Sequence, residues 1–323
     1  MKIRTGIIGG AGYTAGELIR LLINHPDVEI SFIHSTSNVG NRITDVHGGL
    51  VGETDLLFTD TLDFDNISAL FLCSAHGDSR KFFDANSFPE SLKIIDLSTD
   101  FRHKNTADGF IYGLPELNKS SIQTASRIAN PGCFATAVQL ALLPLAANNL
   151  LKDEIHINAI TGSTGAGVKP VATTHFSWRA DNISIYKPFE HQHLQEISES
   201  LLQLQPEWSS PLNFIPVRGN FTRGIFACIY TACDLPSEKI IKLYSDYYND
   251  AAFTFVTDKN PDLKQVTNTN KCILYPEKHG NKLLIVSIID NLLKGASGQA
   301  VQNFNLMFGL DEKAGLRLKA NGF

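Results

Sequence analysis

The stretch "TGIIGGAGYTAGEL" (Thr5 to Leu18) constrains this chain more than any other. A short apolar run breaks into a glycine turn, and Leu18, Leu21 and Leu22 then recur at helical spacing until His25-Pro26 stops the helix. Gly9, Gly10 and Gly12 let the backbone turn tightly and approach a diphosphate. The helix start behind them offers free N–H groups and a positive dipole end. The spacing departs from G-x-G-x-x-G, so a tight turn without a ligand is the plain alternative; position favours the nucleotide, because this is the first turn of a strand–helix–strand pattern. "VEISFIH", "ALFLCS" and "LKIIDLS" continue the rhythm. They predict an α/β domain of Rossmann type, a parallel sheet with helices on both faces.

After residue 150 the texture changes. "EIHINAITGS", "RGIFACIYTACDL", "CILYPE" and "NKLLIVSIID" are longer strands with fewer helices between them. They predict a second, α+β domain with a large mixed, mostly antiparallel sheet. A chain of 323 residues, 43% of them hydrophobic, has room for two such cores. The 28 basic and 33 acidic residues give a net charge of -5, which argues against a general nucleic-acid binder. The longest apolar run is broken by Pro144 and Asn148-Asn149, too short for a membrane span. No signal-peptide pattern is seen at the start, and the five scattered cysteines lack CxxC spacing. A reducing cytoplasm is the expected compartment.

Two further segments carry chemistry. The second strand ends "FIHSTSNVGNR": Ser35, Thr36, Ser37 and Arg42 stand where an NAD site would put an acid on the ribose 2′-hydroxyl. Hydroxyls and an arginine suit a 2′-phosphate, so NADPH is expected over NADH. In "IANPGCFATA", Pro131-Gly132 set a turn and Cys133 opens an apolar helix. A thiol there would be activated by the helix start. A small buried hydrophobe is the other reading, and position alone leaves both open. For Cys73, Cys228, Cys233 and Cys272, within or beside apolar strands, the buried reading holds.

An acyl-transfer cysteine needs an acid/base. "YKPFEHQHLQEI" offers His191 and His193, with Glu190 or Glu196 close enough in sequence to suggest a metal site instead. H-x-H-x-x-E is not a specific zinc pattern, so a metal-dependent hydrolase is the lesser reading and no metal is expected. Arg102, Arg218 and Arg223 stand beside turns and are candidate anion clamps or structural ion-pair members. "TGSTGAGV" is a second glycine-rich loop, either lining a site or only turning the chain.

Taken together, "GGAGYTAGEL", "SNVGNRITDVHGGL", "IDLSTDFR", "YGLPEL", "NPGCFATA", "TGSTGAG", "HQH", "RGI" and "KGASGQAVQN" follow in one order across nearly the whole chain. That order resembles the N-acetyl-γ-glutamyl-phosphate reductases of arginine biosynthesis, relatives of aspartate-semialdehyde dehydrogenase. The resemblance implies a Rossmann domain over residues 1–132, joined by a helical segment 295–323 that folds back, and a catalytic and dimerisation domain over 133–294. It implies NADP(H) held by Gly9, Gly10, Ala11, Gly12, Tyr13 and Thr14, by Ser35, Ser37 and Arg42, by Ala75 and His76, and by Gly295, Ala296 and Asn303. It makes Cys133 the nucleophile and His193 the acid/base, with His191 lining the pocket. Arg102, Asn130, Ser163, Lys169 and Arg223 are expected around the substrate, Lys169 replacing the usual arginine.

Phe134-Ala135 replaces the usual Tyr-Pro, and Ala15-Gly16 the usual Gly-Ala, which trims one close-approach position of the loop. The implied reaction is reduction of an acyl phosphate to a semialdehyde through a cysteine thioester, by a homodimer or homotetramer without nucleic-acid or membrane partners. An N-succinyl or carrier-linked acyl phosphate is the variant of that reading. A non-catalytic NADP-binding regulator is the reading from another class.

Overall fold

In the computed structural model, which describes residues 2–322, the chain clusters into two units. One runs to Pro131 and regains Ala296–Arg317; the other comprises Gly132–Gly295 and the segment from Leu318 on. Hydrogen bonds tie the segment from Leu318 on to the second unit: the Asn268 side-chain amide donates to the carbonyl of Lys319, and the Asn321 N–H to that of Thr267.

The first unit holds seven parallel strands, β1 (Ile3–Ile8), β2 (Val28–His34), β3 (Phe58–Thr59), β4 (Ala69–Leu72), β5 (Lys93–Asp96), β6 (Ile111–Tyr112) and β7 (Arg127–Ala129), in the order β3-β2-β1-β4-β5-β7-β6. Strand β4 and most of β1 are buried on both faces, which is why they read as continuous apolar runs. Helix α1 (Tyr13–Leu22) buries Ala15, Leu18, Ile19, Leu21 and Leu22. Strand order reverses at β1, which lies between β2 and β4, so the crevice beyond its carboxyl end is the ligand position of such sheets. Helices α2 (Ile43–Val46), α3 (Asp78–Ala85) and α4 (Pro115–Thr124) fill the crossovers.

The second unit opens with α5 (Cys133–Ala146), buried from Phe134 to Ala146 and carrying Pro144 in its last turn. Its sheet contains β8 (Ile155–Thr161), β9 (Ser184–Ile185), β10 (Leu212–Arg218), β11 (Ile225–Ala232), β12 (Thr254–Val256), β13 (Cys272–His279) and β14 (Lys282–Ile289), ordered β12-β13-β14-β11-β8-β10-β9. Four neighbour pairs are antiparallel; β8–β10 and β12–β13 are parallel. Burial alternates along β8 and β11, the signature of a sheet covered on one face. Helices α6 (Phe176–Arg179), α7 (His193–Leu204) and α8 (Ser237–Tyr247) complete this unit, and α9 (Gly298–Met307) belongs to the first. Among the described residues no helix is long and apolar enough to cross a membrane.

Candidate active site

The glycine turn joins β1 to α1. Gly9 has φ +77°, and a Cβ there would sit 2.9 Å from the backbone of Cys73 and Ser74. A Cβ on Gly10 would overlap Ile33. Gly12 caps α1 with no side-chain hydrogen bond, so the helix start remains available to an anion. Ala11 and Thr14 are half-buried and Tyr13 is exposed around it. Glycine loss at position 15 is answered one residue later: a Cβ on Gly16 would meet the His47 ring at 2.6 Å, and His47 Nε2 donates to the Gly10 carbonyl at 2.7 Å. The close approach has moved rather than vanished.

Beyond β2, Ser35, Ser37 and Asn38 hydrogen-bond one another, and no acidic side chain interrupts the run from Ser35 to Arg42. Arg42 is exposed. Ala75 and His76 follow β4, exposed, with His76 Nδ1 accepting from the Thr99 N–H. Ser297, just before α9, donates to the Thr14 carbonyl at 2.7 Å, which brings Ala296 to the same helix start. Asn303 instead binds the Gly113 carbonyl and Asn130 Oδ1, while Asn130 donates to the Ala296 carbonyl. These two amides brace the first unit.

In the second unit Cys133 occupies the first position of α5, half-buried, behind Gly132 as cap. The Gly132 N–H donates to Glu196 Oε2 at 2.9 Å. The other oxygen of that fully buried carboxylate lies 3.8 Å from His193 Nε2. Gln139 of α5 donates to the Glu196 carbonyl and to Ser200, fixing α5 against α7. One acid thus links the cysteine turn to the histidine helix.

His191 and His193 are 7% and 5% exposed, their rings 4.6 Å apart. His191 Nδ1 accepts the His193 backbone N–H at 3.2 Å. Its ring is walled by Phe134, Phe214 and Tyr186 at 5.4, 5.4 and 5.7 Å. Burial, and then the Lys187 charge, push its pKa down to about 4, against the opposing pull of Glu196. His191 is therefore neutral near pH 7. Phe134, the departure after the cysteine, supplies that apolar wall, and a Cβ on Gly295 would come 2.7 Å from Cys133 Cβ. Gly295 therefore makes room for the thiol's own residue.

The expected anion clamps divide. Arg102, in the first unit, donates from Nε to the Asn130 carbonyl and from Nη2 to that of Leu97, both at 2.8 Å. Arg223 forms a two-point ion pair with the buried Asp290, at 3.1 and 3.2 Å. Lys169 is exposed. Ser163 lies in the loop whose backbone bonds Phe221 and Thr222, and a Cβ on Gly162 would press on Thr222 and Arg223. Burial lifts the thiols of Cys73 and Cys228, as their strand settings imply. Among the described residues no group of three His, Cys, Asp or Glu side chains is placed to hold a metal.

Sequence patterns did not reveal Tyr186, Arg179 or the linking role of Glu196. Tyr186 follows a two-residue strand and Arg179 ends a four-residue helix, both too short for periodicity. Asp290, ending the apolar run of β14, was the one visible signal of a counter-ion for an arginine.

The family model "Semialdehyde dehydrogenase, NAD binding domain" matches residues 4–125, and "Semialdehyde dehydrogenase, dimerisation domain" matches 133–291. An N-acetyl-gamma-glutamyl-phosphate reductase of Azobacteroides pseudotrichonymphae is 68% identical over 321 residues, 99% of this chain and 100% of the relative. The enzyme of that name from Parabacteroides distasonis is 64% identical with the same coverage. The chain belongs to the N-acetyl-γ-glutamyl-phosphate reductase family. Its fold is shared more widely. Aspartate semialdehyde dehydrogenase II of Vibrio cholerae superposes with a TM-score of 0.72 at 16% identity, over 96% of this chain and 99% of that one. The aspartate semialdehyde dehydrogenase of Candida albicans, solved with NADP, gives 0.72 at 15% identity, over 98% and 99%.

Proposed function

We propose that the chain reduces N-acetyl-γ-glutamyl phosphate to N-acetylglutamate semialdehyde and phosphate, with NADPH, through a thioester on Cys133. The observation that carries this is Cys133 at the first position of α5, in one unit with two buried histidines and the acid that bridges to them. The bare start of α1, the close packing behind Gly9 and Gly10, and the absence of an acid from Ser35 to Arg42 fit an NADP diphosphate and 2′-phosphate.

The Cys133 sulfur attacks the acyl carbon; the carbon–oxygen bond to phosphate breaks and phosphate leaves with its electron pair. One hard reduction is thereby split into two easier steps. Bound NADPH supplies the hydride that reduces the thioester carbon. His193 protonates the oxygen of the resulting thiohemiacetal and takes that proton back as the carbon–sulfur bond breaks, releasing aldehyde and thiolate. His191, neutral at working pH, holds the backbone of His193 by accepting its main-chain N–H. Glu196 holds the cap of α5 and faces the ring of His193. Of the anticipated clamps, Arg102 braces the first unit and Arg223 the second, since the donors named above are engaged within each unit.

The working form is a homo-oligomer in the cytoplasm. The half-buried Phe226, Ile273, Tyr275 and Leu284 on β11, β13 and β14 support a sheet-face contact, as does the name of the matching dimerisation domain. The decisive assay runs the reaction backwards. N-acetylglutamate semialdehyde, phosphate and NADP⁺ should yield NADPH, and all three should be required. Turnover without phosphate, or none at all, would sink the reading.

A further inference from the structure

Arg179 ends α6 and is 8% exposed. Its Nη2 donates to the Asn182 carbonyl at 2.7 Å and grazes that of Arg218 at 3.5 Å. Its Nε and Nη1 have no hydrogen-bond partner. Arg218, at the end of β10, faces it: burial and then the Arg218 charge disfavour the Arg179 cation, and no carboxylate offsets them. A guanidinium stays charged in proteins, and a buried charge left unpaired costs several kcal/mol. Arg223 shows the ordinary solution in the same unit, a buried Asp290 at ion-pair distance. Arg179 lacks one.

The pair adjoins the nucleophile. Arg218 lies 4.5 Å over the Tyr186 ring and donates to Thr173 Oγ1 at 2.7 Å. Tyr186 in turn feels the Cys133 sulfur and packs edge-on against His191. A planar anion is what a guanidinium with two unpartnered N–H donors, close to a second arginine, accepts.

We propose that Arg179 and Arg218 form a carboxylate subsite of the substrate pocket, holding a substrate carboxylate apart from the reacting acyl phosphate. This rests on the reductase reading above. The carboxylate has two sources with the same chemistry: the amino-acid carboxyl, or a second carboxyl on a dicarboxylic N-acyl cap.

The reverse assay separates carboxylate from phosphate, because the semialdehyde carries the first and inorganic phosphate is added separately. Arg179→Met should raise KM for the semialdehyde roughly 30-fold or more while KM for phosphate stays put. Arg179→Lys should recover part of the loss. Thermal stability of Arg179→Met should hold or rise, since an unpaired charge is removed. A rise in KM for phosphate instead, unchanged kinetics, or a fall in stability with intact kinetics would each overturn the subsite. For the source, wild type should reject an α-carboxamide analogue if the amino-acid carboxyl is held, or prefer N-succinyl over N-acetyl semialdehyde if the cap is read. Arg179→Met should lose whichever preference wild type shows, and no preference in wild type counts against the subsite. A probe independent of turnover keeps the two proposals apart: N-acetylglutamate should slow alkylation of Cys133 in wild type and fail to do so in Arg179→Met. Equal protection overturns the subsite even where the reductase reading stands, and absent turnover with unequal protection overturns the reductase reading alone.

Discussion

Helices α1 and α5 both begin at a glycine cap without a side-chain cap of its own, and they differ in what is done with the start. At α1 the cap is left bare, backed by glycines that let the chain lie close to β4. At α5 the cap N–H is taken by the buried Glu196, and a thiol stands at the first position. The same dipole serves two ends. On the reading proposed above, the bare start receives an anion that comes and goes, while the start of α5 carries a resident thiol on a turn that Glu196 holds in place.

The sharpest way to break this comparison is to remove the resident group alone. Cys133→Ser should lower turnover by at least ~10³-fold, with NADPH affinity unchanged by titration. If cofactor binding falls in step with activity, the two helix starts are not separable devices.

The next effect is on pH. The His191 pKa is about 4 in the fold against an ordinary 6.5. Between those values the unfolded chain binds more protons than the native one, so stability rises with pH. This contribution is complete above pH 6.5 and is lost as pH falls towards 4, on the order of 3 kcal/mol in all. Denaturant titrations across that range should show the loss. His191→Asn keeps an acceptor for the His193 N–H and should flatten the slope; an unchanged slope would mean that the α5 side is not tuned by burial.

At α1 the tests are smaller and fall on backbone and cofactor. Gly9→Ala meets a left-handed φ and a backbone wall, and should cost about 2 kcal/mol of stability by melting experiments. Arg42→Ala should weaken NADPH binding roughly tenfold and leave NADH binding as it was. Equal weakening of both would remove Arg42 from the 2′-phosphate.

What could be read from the sequence follows the range of the interactions involved. The glycine turn, the parallel strands and the cysteine at a helix start are local, written in spacing and turn chemistry within some fifteen residues. The expected clamps fared differently because an arginine's partner is remote. Arg223 meets Asp290, and Arg102 meets the Asn130 carbonyl, across stretches no window spans. Ala15-Gly16 looked like the loss of a close approach, yet His47, brought in from the next segment, needs the space at Gly16. Phe134 looked like a departure; with both histidines folded against it, it is a wall. Glu196 was noticed as a metal ligand by spacing, while its partner, the Gly132 N–H, only the fold could supply.

The first unit is made from two stretches of chain that the second unit separates. Its helix α9 packs on α1, α4 and β5, and Asn305 meets His25 at 2.9 Å. A ribosome releases the glycine turn before the second unit and α9 after almost all of it. The nucleotide domain, begun first, must therefore wait with an empty seat while the whole of the second unit is synthesised, and nascent chains halted near residue 295 should not yet retain the cofactor.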